Sequence, residues 1–183
     1  MSAPRRSRDA AEKAKKVRLF LVDVDGVLTD GGIVYDGGGR EIKRFHVRDG
    51  HGIKMLQRAG VEVGIITGRT SDAVTVRARE LGISLVRQGA WDKLDVWREI
   101  LAEKGFSPTE TAYVGDDIVD VPLMRQVGFA AAVADAESYV REAADFVSTR
   151  PGGQGAVREI IEFVLRSSGA WEKVASKYFA AGP

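Results

Sequence analysis

Phe20-Leu21-Val22-Asp23-Val24-Asp25-Gly26-Val27-Leu28-Thr29-Asp30 decides how this chain is read. A short apolar run beginning at Val17, broken only by Arg18, leads into two aspartates spaced by one residue and then a glycine. Such a run closed by Asp and Gly predicts a buried strand that ends in a loop. Carboxylates at the end of a buried strand are costly to desolvate unless positive charge compensates them. The stretch therefore predicts both an element and a requirement: a cation near Asp23 and Asp25.

Downstream, Ile33-Val34-Tyr35 and Glu41 to Phe45 flank the turn Asp36-Gly37-Gly38-Gly39, which predicts a β-hairpin. Two strands alone are marginal in water, so this hairpin needs the domain or a second copy of the chain to pack on. Asp49 to Ala59 reads as a helix closed by Gly60, and Val61 to Ile66 as a second buried strand ending in Thr67-Gly68-Arg69. A helix capped by Ser71 runs to Leu81. Ile83 to Val86 is a third strand, and Asp92 to Lys104 a helix with Leu94, Trp97, Ile100 and Leu101 inward. Ser107-Pro108-Thr109-Glu110 has the form of a capping box. It precedes the strand Thr111 to Gly115, which delivers Asp116-Asp117. A helix over 119–127, a strand over 129–133, a helix over 136–144, a short strand over 146–148 and a helix over 156–166 complete the alternation. Strands alternating with helices of this length imply right-handed βαβ units, hence an α/β doubly wound, Rossmann-like parallel sheet with helices on both faces.

The 183 residues support one full domain. We expect an N-terminal arm with a short helix over 1–16, starting at an Asp9 cap, a domain over 17–168 with the hairpin flap at about 32–46, and a tail over 169–183. Lys plus Arg (27) balances Asp plus Glu (26), so net charge makes no case for nucleic acid. No apolar stretch is long enough for a membrane span, and Met1 to Lys16 lack the apolar core of a secretory signal. Cysteine is absent, which excludes disulfides and thiolate catalysis and fits a cytoplasmic location.

A parallel sheet of this kind places ligands outside the carboxyl ends of its strands. Those ends carry Asp23 and Asp25, Thr67, and Asp116 and Asp117, with Lys93 at the start of a helix. One lysine does not neutralise so many acids. A hard divalent cation with oxygen ligands would, and Mg²⁺ suits a site that also binds phosphate. A carboxylate can attack phosphorus and form an acyl phosphate. A second can protonate the leaving alkoxide and then activate water, while a hydroxyl, free N–H groups and a lysine hold the phosphoryl oxygens.

Asp23-Val-Asp-Gly-Val-Leu-Thr, Ile66-Thr67-Gly68-Arg69, Lys93 and Gly115-Asp116-Asp117-Ile-Val-Asp120 resemble the four motifs of the haloacid dehalogenase superfamily. Phe45 to Ile53, Gln88-Gly89, Asp92-Lys93-Leu94, Ala112 to Asp117 and Gly152 to Glu159 extend the resemblance to one branch, the 3-deoxy-D-manno-octulosonate 8-phosphate phosphatases. It covers about Val17 to Val164. The resemblance implies that Asp23 is the nucleophile and a Mg²⁺ ligand. Asp25 is then the acid/base and gives the metal its backbone carbonyl, and Asp116 completes the metal site. Thr67, Gly68 and Lys93 hold the phosphoryl group, and Arg69 faces an anionic sugar-acid substrate. Asp117 and Asp120 support, with Asp120 capping or orienting its loop. The resemblance further implies a homotetramer whose hairpins meet and whose C-terminal tails reach neighbouring sites, and a place in lipopolysaccharide precursor synthesis.

Two cues bear on the substrate. They disagree: relatives of the octulosonate type usually carry arginine where this chain has Gln154, whereas the similar nonulosonate 9-phosphate phosphatases, the alternative reading, tend to carry an acid where this chain has Arg69. Neither 30–67 nor 69–93 has room for a separate cap domain, so the hairpin is the expected lid, supplied by a partner copy. Lys43 and Arg48 lie on that lid, facing either a sugar carboxylate or solvent, and Trp91, Trp97 and Trp171 read as packing residues. Competing readings are a phosphotransferase on the same scaffold, a non-catalytic partner of a sugar-activating enzyme, and a signalling receiver domain. The last fails because the strand over 83–86 ends without an aspartate.

Overall fold

The acidic stretch leaves the centre of the sheet. In the computed structural model, which describes residues 5–179, β1 (Leu19–Val22) pairs in parallel with β4 (Glu62–Ile66) on one side and β6 (Thr111–Gly115) on the other. β5 (Leu85–Arg87), β7 (Phe129–Ala132) and β8 (Phe146–Val147) extend it to the order β5-β4-β1-β6-β7-β8. Val22 stands level with Ile65 and Val114. Asp23 therefore leaves the sheet one residue before Thr67 and Asp116 leave theirs, and all three arrive at the same edge.

β1 is buried along its whole length, as are β6 and β7. Strands covered on both faces read as continuous apolar runs, the pattern in Leu19–Val22. Phe20, Tyr113 and Phe129 are among the largest buried side chains, and full burial of each such side chain contributes roughly 1.5–3 kcal/mol. Two helix groups cover the sheet. The first is α1 (Arg5–Ala14), α2 (Val47–Arg58) and α7 (Ala156–Ser167); the second is α4 (Lys93–Lys104), α5 (Val121–Met124) and α6 (Ser138–Ala143). α3 (Asp72–Leu81) packs beside α2 and ends on Gly82 in the left-handed conformation. α8 (Trp171–Phe179) packs on α7.

Several boundaries differ from the sequence reading for physical reasons. α1 begins at Arg5, so Asp9 lies inside it, and Ala10 and Ala14 are buried against the domain. α2 begins at Val47 because His46 caps it, its Nδ1 accepting from the Arg48 N–H at 3.3 Å. Asp49, expected at the start of that helix, is instead buried and caps α7 from across the fold. Its carboxylate accepts from the Gly155 N–H at 3.2 Å and the Arg158 N–H at 2.7 Å. The helix expected over 119–127 is a 3-10 turn, Ile118–Asp120, followed by a single α turn. Asp120 bends back to its own loop there, and Pro122 fits only a first turn. The hairpin is short, β2 (Val34–Tyr35) with β3 (Glu41–Ile42).

The loop before α7 seats the acidic loop. A Cβ on Gly152 would lie 1.8 Å from the Gly26 carbonyl oxygen, so only glycine permits this approach. The Gly153 N–H donates to the Val27 carbonyl at 2.9 Å. Gly152→Ala is expected to displace the acidic loop, lowering unfolding free energy by about 1–3 kcal/mol in urea titration and lowering turnover with it.

Candidate active site

Lys93 organises the cleft. It is the first residue of α4, whose N-terminus is capped by the Asp92 carboxylate accepting from the Leu94 and Asp95 N–H groups, both at 3.0 Å. That cap aims the Lys93 ammonium inward, where it meets Asp23 Oδ2 at 2.8 Å and Asp120 Oδ1 at 2.6 Å. All three side chains are nearly inaccessible to water. Burial alone would lower the Lys93 pKa, yet the two carboxylates hold it above its ordinary value. Burial pushes the Asp23 pKa up to about 6, with Lys93 opposing and Asp120 adding to the rise.

Asp120 is fully engaged. Besides Lys93, its Oδ1 accepts from the Tyr113 hydroxyl at 2.6 Å, and its Oδ2 accepts from the Asp116 and Asp117 N–H groups at 2.9 and 3.1 Å. It shapes the loop after β6, as the sequence reading supposed. Asp116 is different. Its Oδ1 is buried with no hydrogen-bond partner. Burial, with the fields of Asp23 and Asp120, pushes its pKa up to about 8. Carboxylate oxygens of Asp23, Asp116 and Asp120 lie within 4.8 Å of one another. With the Asp120 oxygens taken by four donors, Asp23 and Asp116 are the pair left to meet a cation. Gly26, with φ 84°, makes this approach possible, since a Cβ there would lie 2.0 Å from Asp116 Oδ2.

Asp23, Asp25, Thr67, Gly68, Arg69, Lys93, Asp116 and Asp117 all line one cleft of about 280 Å³. Thr67 is buried, and its backbone is fixed by its N–H donating to the Arg87 carbonyl at 2.9 Å. Asp117 sits at the rim, where it caps the 3-10 turn and accepts from the Tyr139 hydroxyl at 3.3 Å. Asp120 does not line the cleft: it is fully buried behind it, against Lys93.

The structure gives several residues roles that the sequence reading did not. Lys43 faces neither solvent nor an open cleft: its side chain is 1% exposed and pairs with Asp25 Oδ1, and with Glu41 Oε1 at 3.2 Å. Glu41 in turn accepts from Arg69 at 2.8 Å, and Arg69 Nε lies 3.8 Å from Asp25 Oδ2. The base of the hairpin thus closes on the site of its own chain and orients Asp25. Tyr113 supplies the hydroxyl that completes Asp120; a tyrosine amid the small and aliphatic residues of β6 was the available signal, since a buried phenol needs a partner. Trp97 packs in the core, but Trp91 does not pack: it is 88% exposed at the cleft mouth. His46 is a helix cap, and His51 meets Tyr178 ring to ring at 5.6 Å.

Comparisons with known proteins agree with this geometry. Residues 82–161 match the family model described as haloacid dehalogenase-like hydrolase. The 3-deoxy-D-manno-octulosonate 8-phosphate phosphatase of Escherichia coli strain K12 is 44% identical over 163 residues, 89% of this chain and 87% of that one. A probable phosphatase of the yrbI family from Pseudomonas syringae superposes with a TM-score of 0.93 at 43% identity, covering 96% of this chain and 99% of its own. The octulosonate 8-phosphate phosphatase of Moraxella catarrhalis, solved with magnesium, phosphate and KDO, superposes at 0.91 with 38% identity over 93% of this chain and 98% of its own. The one-lysine, many-acid cleft at the end of a parallel sheet and these relatives along nearly the whole chain place it in a single family: it belongs to the haloacid dehalogenase-like hydrolases, in the branch of the 3-deoxy-D-manno-octulosonate 8-phosphate phosphatases.

Proposed function

We propose that this chain is a Mg²⁺-dependent phosphatase that hydrolyses 3-deoxy-D-manno-octulosonate 8-phosphate to the free sugar acid and inorganic phosphate, a step in lipopolysaccharide precursor synthesis. The observation that carries the reading is the convergence of Asp23, Thr67, Lys93 and Asp116 on one cleft. The substrate comes from the relatives, which are named for it. Arg69 in the cleft supports it, since a guanidinium suits a sugar carboxylate. We place the reaction in the cytoplasm, consistent with the cysteine-free sequence. No helix among the described residues is long and apolar enough to cross a membrane.

Asp23 attacks phosphorus. As its oxygen–phosphorus bond forms, the ester bond to the sugar oxygen breaks, and Asp25 gives that oxygen its proton. The Thr67 hydroxyl, the Gly68 N–H and the Lys93 ammonium hold the phosphoryl oxygens as charge moves onto them. In the second step Asp25 takes a proton from water, the water oxygen bonds to phosphorus, and the aspartyl–phosphorus bond breaks. Lys43 and Arg69 orient Asp25.

The residues fit a hard cation, because the buried, unpartnered Asp116 oxygen faces an excess of negative charge. The Asp23 and Asp116 carboxylates with the Asp25 backbone carbonyl would hold Mg²⁺, which when bound neutralises charge on the phosphoryl group and its acidic surroundings.

The same reading includes a homo-oligomer, most simply a tetramer, in which a neighbour closes the cleft. Ile33, Val34, Tyr35 and Ile42 support it: all four are more than half exposed on one small hairpin. Solitary apolar residues at the surface are ordinary, but four together on one hairpin mark a contact surface. The C-terminal tail expected to reach a neighbour divides here: α8 packs on its own chain, while residues 180–183 lie outside the described residues.

Asp23→Asn is expected to lower phosphate release from the octulosonate ester at least about a thousandfold, and EDTA to abolish release that Mg²⁺ restores. Normal turnover by this variant would defeat the mechanism. Asp116→Asn gives a thermodynamic check. Because the folded-state pKa of Asp116 rises from 3.8 to about 8, the metal-free fold loses stability as pH climbs through that interval, and ionised Asp116 opposes folding above it. The variant should therefore melt higher than the parent in EDTA at pH 8, and gain less from added Mg²⁺. Val34→Asp should shift the particle to smaller mass in sedimentation velocity and reduce turnover together with it.

A further inference from the structure

Trp91 is 88% exposed, yet it lines the same cleft as Asp23, Thr67 and Lys93. An indole buries a large apolar surface when it is covered, so one held open at a cleft mouth is poised for a ligand. Its backbone cannot withdraw. The Ala90 N–H donates to the Thr67 carbonyl at 3.0 Å and the Trp91 N–H to the Gly89 carbonyl at 3.1 Å. Two residues on, Lys93 is locked between Asp23 and Asp120. Val119, 53% exposed, lines the cleft with it.

The cleft thus offers three surfaces of different chemistry. Its floor is Asp23, Thr67 and Lys93; Arg69 presents a cation; Trp91 and Val119 present an apolar wall. A phosphorylated sugar acid has the matching three parts: a phosphate, a carboxylate, and a face of ring C–H groups that hydroxyls leave uncovered. We propose that Trp91 is a specificity-determining residue whose indole covers the C–H face of the sugar-acid leaving group. The proposal rests on the phosphatase reading above. A rigid aromatic provides this contact at little conformational cost, and binding energy gained on the non-reacting part of a substrate favours the larger ester over small phosphates.

The test uses the full chain with Mg²⁺ and three proteins: parent, Trp91→Ala and Trp91→Phe. The parent is first assayed on the octulosonate 8-phosphate, and no phosphate release there would reject the phosphatase reading itself. With the parent active, Trp91→Ala is expected to raise KM for that ester about tenfold while kcat falls less than about threefold. The ratio of kcat/KM for the ester to that for acetyl phosphate, which carries no sugar, should fall by about tenfold. Trp91→Phe should recover most of the ratio. Adding the free sugar acid should shift tryptophan emission in the parent and not in Trp91→Phe, because Trp97 is 4% exposed and Trp171 packs under Arg166, 4.0 Å from its ring. An unchanged substrate ratio in Trp91→Ala would overturn the proposal. So would a change of sedimenting mass with the ratio unchanged, which would assign Trp91 to a contact between copies.

Discussion

One buried ammonium between two buried carboxylates sets the terms for the whole site. Moving each charge of the Asp23–Lys93–Asp120 group out of water costs several kcal/mol even after relaxation, and only close mutual contact offsets it. The contacts are 2.8 and 2.6 Å, which fixes α4, the end of β1 and the loop after β6 relative to one another. The Tyr113 hydroxyl and two backbone N–H groups then complete Asp120. What this group leaves unsatisfied is Asp116, and the imbalance defines the cation site more sharply than any count of acids. Binding chemistry here is the residue of an otherwise closed electrostatic account.

The sheet was legible because parallel strands covered on both faces need continuous apolar runs, and Leu19–Val22, Val63–Ile66 and Ala112–Val114 are such runs. Helix ends marked by glycine, such as Gly82 after α3 and Gly105 after α4, were legible for the same local reason. The acids were legible because each follows a strand. Contacts that cross the fold were not. Asp49 resembles an ordinary first-turn acid, yet it caps a helix more than a hundred residues away. Lys43 resembles a hairpin surface charge, and only the folded hairpin shows it against Asp25. Trp91 has no sequence signal separating a packing indole from an exposed one, since its surroundings come from segments far along the chain.

The hairpin has two faces with different allegiances. Glu41 and Lys43 belong to the site of their own chain, through Asp25 and Arg69. Val34 and Ile42, paired across the ladder, are each more than half exposed on the other face. Contact made on the outer face would therefore be felt at Asp25 through only two side chains, because both faces share the same short ladder. The orientation of Asp25 is thereby tied to one small element, while Asp23 and Thr67 are held independently at the end of the sheet.

The close stacking of Gly152 on Gly26, and of Gly26 on Asp116, has a consequence for how the molecule is made. Asp23, Asp25, Thr67, Lys93 and Asp116 have all left the ribosome before residue 152 does. Until that residue arrives, Gly26 lacks the glycine packed against its carbonyl, and Val27 lacks the Gly153 N–H that its carbonyl accepts. A chain cut before residue 152 would carry every reacting group and still lack the glycine on which the acidic loop rests. The geometry of the site is thus a property of the loop that seats it as much as of the segments that bear the chemistry.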